Sequence, residues 1–299
     1  MQKNQPKFGT VSLIGRPNVG KSTLFNKLVG AKLAIVSPKP QTTRNRITGI
    51  LTCHGDSPGQ IVFWDLPGIH KAIGVMNRRM VSIALQALDS VDLGIWVIDA
   101  KRESEIDSFV FKQIQSRKLR LILAINKIDL IQKDLLLPMI DEYRKAYDFL
   151  EVVPVSALKE RNLDALLKCI LLHLPEGDPL FPEDTLTDIP ERSLVAELVR
   201  EKVFLLTREE VPYSTAVSIV SFEEKEKLVS IGADIWVEKD SQKGILVGHR
   251  GEMIKKIGTM ARIDIERLLG HKVFLDLSVK VKEGWREKSA ILDELGIRA

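Results

Sequence analysis

Gly15-Arg-Pro-Asn-Val-Gly-Lys-Ser22 follows the apolar run FGTVSLI and opens a helix-like segment. Its glycines let successive backbone N–H groups turn inward, and the helix N-terminus adds a favourable dipole, so the loop can cradle phosphates. In that geometry Lys21 reaches the β/γ-phosphates and the Ser22 hydroxyl ligates Mg²⁺. Arg16, Pro17, Asn18, Val19, Gly20 and Thr23 complete the candidate phosphate-binding stretch.

Four weaker signals follow in order. Gln41-Thr42-Thr43-Arg44 lies in a polar loop with Pro38 and Pro40. A threonine there can complete the Mg²⁺ shell; Thr43 is the first choice and Thr42 the second. Asp65-Leu66-Pro67-Gly68 follows the run QIVFW, so the Asp65 carboxylate can reach Mg²⁺ through water while the Gly68 N–H meets a γ-phosphate. Lys21, Thr43 and Gly68 are the candidate catalytic groups. Asn126-Lys127-Ile128-Asp129 follows LRLILAI. Asp129 can accept from the two N–H groups of guanine, a donor pair that adenine lacks, and Asn126 and the Lys127 stem can hold the base and cover its face. Last, Ser156-Ala157-Leu158 follows EVVPV, where the Ala157 N–H can bond the guanine oxygen. Each of these is weak alone. Together they fall at the carboxyl ends of successive strands, where α/β sheets bind ligands, and they point to GTP.

One position departs from the expected chemistry. The residue after such a D-x-x-G glycine is commonly a glutamine that orients the attacking water. Here it is Ile69, and the neighbouring His70 reads as an exposed loop histidine.

The elements that must position these residues are legible in outline. From Phe8 to His173 the runs FGTVSLI, QIVFWD, LGIWVIDA, LRLILAIN and EVVPVSA alternate with helical segments at 21–29, 77–88, 106–117, 133–147 and 162–173. Near-continuous hydrophobicity suits strands covered on both faces, and the alternation predicts a doubly wound, mostly parallel α/β domain over residues 1–173. Four prolines between Leu174 and Glu191 rule out a continuous helix there and read as an interdomain linker. Residues 192–299 then run helix, strand, strand, helical pair, strand, an α+β module.

Composition narrows the setting. Cys53 and Cys169 form neither a disulfide framework nor a metal-ligand spacing. No apolar run approaches the roughly 20 residues of a membrane span, and neither a signal sequence nor a lipidation motif is evident. A cytoplasmic protein is the expectation. Residues 1–179 carry 25 Lys/Arg against 18 Asp/Glu, and the remainder 19 against 22, so nucleic-acid binding by the second module must rest on a local surface.

Such a surface exists in the sequence. Gly248-His-Arg-Gly251 lies between a strand-like ILV and the helix EMIKKIG, and residues 239–288 carry 12 Lys/Arg against 7 Asp/Glu. The glycines let a loop approach single-stranded RNA closely beside a groove that reads about four nucleotides. Gly248, His249, Arg250, Gly251, Lys255, Lys256 and Arg262 are the candidate RNA contacts, while Ile254, Ile257 and Ile265 read as core or groove floor.

The five nucleotide signals resemble those of the translation-factor-related GTPases over residues 8–173. LVGHRGEMIKKIGTMARIDIERLLG followed by a strand resembles a K-homology (KH) domain of the prokaryotic, type II order. The whole chain, including the closing KVKEGWREK, is similar to the Era family of bacterial GTPases. That resemblance implies slow GTP hydrolysis with Mg²⁺, a monomer, no DNA partner, binding near the 3′ end of 16S rRNA, a role in assembly of the 30S subunit, and peripheral association with the inner membrane. It also implies that, as in relatives with a hydrophobic residue at the Ile69 position, K⁺ held partly by Asn18 can supply charge. The competing reading is another ribosome-associated or regulatory GTPase whose C-terminal module docks a protein.

Overall fold

The computed structural model describes residues 6–37, 39–55, 58–101 and 107–298. Pro38 and Ile106 lie outside them.

The first unit runs β1 (Lys7–Ile14), α1 (Lys21–Val29), β2 (Ile47–Cys53), β3 (Gly59–Asp65), α2 (Val75–Leu88), β4 (Leu93–Asp99), α3 (Ser108–Arg117), β5 (Leu121–Asn126), α4 (Leu136–Ala146), β6 (Glu151–Pro154) and α5 (Leu163–His173). The strands form one sheet in the order β2-β3-β1-β4-β5-β6. β2 is antiparallel to β3, and the remaining pairs are parallel. Alternate residues of a strand point to opposite faces, and both faces here are covered. Ile95 and Val97 therefore join α1 and α5 in one core, while Trp96 and Ile98 join α2 and α3 in another. That is why these strands read as unbroken apolar runs.

Local chemistry sets several boundaries. Asp107 caps α3, its carboxylate accepting from Phe109 N (2.9 Å) and Val110 N (3.1 Å), so the helix starts two residues after Ile106. The expected helix over 133–147 begins as a tighter turn, Lys133–Leu135, and becomes α-helical only at Leu136. Pro138 explains this: its ring lacks an N–H and is tolerated only in a helix's first turn. The run EVVPVSA is strand only to Pro154, which frees Ser156 and Ala157 to sit in a loop.

Residues 174–190 carry no helix or named strand, and Glu191, expected to close the linker, opens the next helix; the stretch is nonetheless bonded along the sheet edge. Gln60 Oε1 accepts from Leu180 N and Phe181 N, both at 2.9 Å, and Ile50 N donates to Leu186 O at 2.8 Å.

Beyond them, α6 (Glu191–Leu206), β7 (Ala216–Lys225), β8 (Leu228–Val237), α7 (Asp240–Val247), α8 (Glu252–Leu269) and β9 (Lys272–Val281) build a second unit. β8 lies between antiparallel β7 and parallel β9, and α6 and α8 bury Val199, Val203, Ile257 and Ile265 against it. The strand-like ILV is the last turn of α7. Gln242 caps that helix by accepting from Glu238 N at 2.9 Å, and a three-residue apolar run has no period that separates helix from strand. The chain ends in α9 (Ser289–Glu294), and Trp285, fully buried, packs with Leu292 and Ile297 against Met76 and Met80 of α2. The two units thus share a small apolar core of their own.

Candidate nucleotide site and candidate RNA face

At the carboxyl end of the first sheet a cavity of about 500 Å³ is lined by Asn18, Lys21, Ser22, Thr43, Gly68, Asn126, Lys127, Asp129, Ala157 and Leu158. Gly15, Arg16, Val19, Asp65, Leu66 and Ser156 stand next to it in the same loops. The parallel register places these loops side by side: β1 pairs with both β3 and β4, and β5 pairs with β4.

Three side chains converge at one end. Ser22 Oγ donates to Asp65 Oδ2 (2.7 Å), Thr43 Oγ1 donates to the same oxygen (2.9 Å), and the two hydroxyls are 3.0 Å apart. Asp65 Oδ1 is buried and has no hydrogen-bond partner among the described residues. Burial pushes the Asp65 carboxyl above its usual range, with Lys21 and the two hydroxyls opposing the shift. A hard dication fits this set of oxygens, since it would satisfy the orphaned carboxylate oxygen and favour the ionised carboxylate against the effect of burial. Lys21 lies beside it, donating to Gly15 O (3.1 Å) and Arg16 O (2.9 Å). Desolvation lowers its pKa to about 8, with the Asp65 charge opposing the shift. A cation so placed is suited to an anionic ligand.

Two glycines are demanded by geometry. Gly20 has φ 99°, and a Cβ there would lie 2.3 Å from Asn126 Nδ2. A Cβ on Gly68 would lie 2.7 Å from Pro17 N, so the two phosphate-facing loops touch through backbone.

The base-binding end is tied together by Asn126. Its Nδ2 donates to Val19 O at 2.9 Å, and its Oδ1 accepts from Lys127 N at 2.8 Å and Ala157 N at 3.0 Å. The Ala157 N–H, expected to face a guanine oxygen, is thus already engaged, because the loop folds it back onto Asn126. Asp129 accepts from Ser156 Oγ at 2.5 Å. Lys127 donates to Asn18 O and to Asp99 Oδ2, both at 2.7 Å. Asp99 escaped the sequence reading, although its place at the carboxyl end of β4, level with Asn126 on β5, was an available signal.

Ile69 is turned away from all of this. Its side chain is buried with Ile14, Leu66 and Trp96, and its N–H donates to Gly15 O at 3.2 Å. His70 is half-buried instead of exposed, its Nδ1 lying 2.8 Å from Gly68 O.

In the second unit, Gly248, Arg250 and Gly251 all have positive φ (74°, 50° and 82°), making a tight corner between α7 and α8. His249, Arg250, Lys255, Lys256 and Arg262 are exposed around it, Lys255 and Arg262 on one face of α8 seven residues apart. Ile257 and Ile265 are core, while Ile254 is half-buried against it. Ile245, 48% exposed one turn before Gly248, is an apolar neighbour that the sequence reading missed.

Residues 10–127 match a family model described as "50S ribosome-binding GTPase", and residues 210–286 match a KH domain. GTPase Era of Trichlorobacter lovleyi is 50% identical over 298 residues, covering 99% of each chain. The chain belongs to the Era family. It is a GTPase with a C-terminal KH domain, as that family is. GTPase Era of Geobacter metallireducens is 48% identical over 299 residues, again covering 99% of each. A crystal structure of an Aquifex aeolicus Era variant bound to GDP·AlF4⁻ superposes with a TM-score of 0.94 at 42% identity, covering 98% of this chain and 100% of that one. Era in complex with MgGDPNP and nucleotides 1506–1542 of 16S ribosomal RNA gives 0.93 at 42% identity, with the same coverage. Among the described residues no helix is long and apolar enough to cross a membrane.

Proposed function

We propose that this chain is a GTP-controlled RNA-binding protein of 30S subunit assembly, and that its KH face holds single-stranded RNA near the 3′ end of 16S rRNA. The observation that carries the switch is the meeting of Ser22, Thr43 and Asp65 within 3.0 Å of one another beside a buried Lys21. The RNA face rests on the glycine corner, its exposed basic residues and the 16S rRNA bound by the Era relative.

Ser22 and Thr43 would hold Mg²⁺ with Asp65 helping through water, and the ion would supply charge neutralisation for the phosphate oxygens. Lys21 adds a second positive charge there, and the Gly68 N–H, pressed against the phosphate loop, donates to the γ-phosphate. Asp129 selects guanine by accepting its paired donors, and Asn126 keeps the loops in register. Residues 1–173 form the GTPase domain, 174–191 the linker and 192–299 the RNA-binding module. Because Ile69 is committed to the core, another group must orient the attacking water, and a K⁺ held partly by Asn18 would add charge near the β/γ bridge. Equal hydrolysis rates in Na⁺ and K⁺ buffers would count against that last assignment.

Crosslinking in cells followed by sequencing of bound RNA tests the whole reading. Enrichment at the 3′ end of 16S rRNA is expected; enrichment on unrelated RNA refutes it.

A further inference from the structure

The loop that carries Thr43 is held from outside its own domain. Arg200, on α6 of the second unit, is 2% exposed. One edge of its guanidinium is fixed by Glu197, with Nε to Oε1 at 2.8 Å and Nη2 to Oε2 at 2.6 Å. Its Nη2 also donates to the carbonyl oxygen of Thr42. That carbonyl belongs to the rigid peptide plane that includes Thr43 N, so gripping it restricts where Thr43 stands. On the other side of Thr43, the Arg44 guanidinium enters the second unit and donates to Thr215 O (2.7 Å) and Tyr213 O (3.1 Å). Further back, the Lys39 ammonium donates to Phe204 O and Thr207 O at the C-terminal end of α6. Cations are favoured at that end of a helix. Among the described residues of its own domain, the Thr43 side chain hydrogen-bonds with Ser22 and Asp65 alone.

We infer that the RNA-binding module supplies, in cis, the clamp that places Thr43 in the Mg²⁺ site, with Arg200 as its positioning residue. This rests on the assignment of Thr43 to that site. Arg200 does not line the nucleotide cavity; it acts through the Thr42 carbonyl. An ordered loop is needed for the triphosphate state, where Thr43 contributes, and not for GDP. Losing the clamp therefore weakens Mg²⁺-triphosphate binding selectively.

The test uses the full chain with four variants: Thr43→Ala, Arg200→Met, Arg200→Lys, and the doubly neutral Glu197→Gln/Arg200→Met. The measured quantities are the Mg²⁺ concentration for half-maximal GTP hydrolysis, the Kd for MgGDPNP and the Kd for GDP. Arg200→Met and the double variant are expected to raise the first two by about tenfold, the scale of one charge-assisted hydrogen bond. GDP affinity should stay within about twofold, a selectivity that general unfolding would not produce. Arg200→Lys, which keeps a donor without the fork, should recover part of the loss. If Thr43→Ala raises the Mg²⁺ requirement and neither Arg200→Met nor the double variant does, the clamp is refuted. If Thr43→Ala itself leaves that requirement unchanged, the assignment of Thr43 fails first, and the clamp with it.

Discussion

Lys21 gives the most quantitative prediction. In the nucleotide-free protein its pKa is lowered from 10.5 to about 8, chiefly by desolvation. A shift of that size corresponds to about 3 kcal/mol spent holding the ammonium in a buried place without its anion. Triphosphate oxygens remove that cost, so the proton is held firmly in the complex. Binding GTP near pH 8 should then take up about half a proton, falling toward zero by about pH 6.5 and approaching one by about pH 9. Affinity should decline above pH 8, by at most about tenfold per pH unit. The sign for stability is opposite. Because the folded pKa lies below the unfolded one, the unfolded chain binds more protons between about pH 8 and 10.5, and the Lys21 contribution to nucleotide-free stability rises with pH there. Calorimetric titration at pH 8 in two buffers of different ionisation enthalpy measures the uptake directly. Lys21→Arg, always charged, is the comparator and should take up none at this position. Identical proton uptake in the parent protein and Lys21→Arg would refute the reasoning.

Other outcomes follow from the same geometry. Asp129→Asn replaces an acceptor with an amide, so it should lose at least about 10²-fold in GTP affinity and gain affinity for xanthosine triphosphate, whose base presents an acceptor there; competition binding with both nucleotides reads this, at the cost expected for unpaired polar groups. His249→Asp with Arg250→Asp should abolish binding to a 16S 3′-end oligonucleotide while leaving the GTP Kd unchanged, and the parent's affinity should fall steeply with salt. Trp285→Ala should destabilise the protein by about 3–5 kcal/mol, because it empties the shared apolar core and removes the 2.9 Å bond from Nε1 to Ser214 O; a denaturant titration measures it. Gly20→Ala should abolish nucleotide binding, since its Cβ would collide with Asn126 Nδ2, and binding should not return with excess Mg²⁺.

Much of the nucleotide site was legible because phosphate and guanine recognition use short local segments whose spacing is written in the chain. Gly15 to Ser22, Asp65 to Gly68 and Asn126 to Asp129 each need only one strand end and the loop after it. Their order along the sequence already implied a sheet that brings strand ends together. The type II order of the second module was equally readable, since element order is a property of the chain itself. Where a local reading failed, the window was too short, as with ILV in α7.

Other features depend on residues far apart in the chain, and only the tertiary structure decided them. Asp99 meets Lys127 across adjacent strands, Ile69 belongs to the core behind the site, and Arg200 grips Thr42 from 158 positions away. Pairing of this kind leaves no period and no motif. Sequence alone therefore determined what the protein binds, through residue types at fixed local spacings. Which groups hold those residues in place was settled by packing, because such contacts arise only when parts of the chain far apart in sequence are brought together, within one unit or between the two.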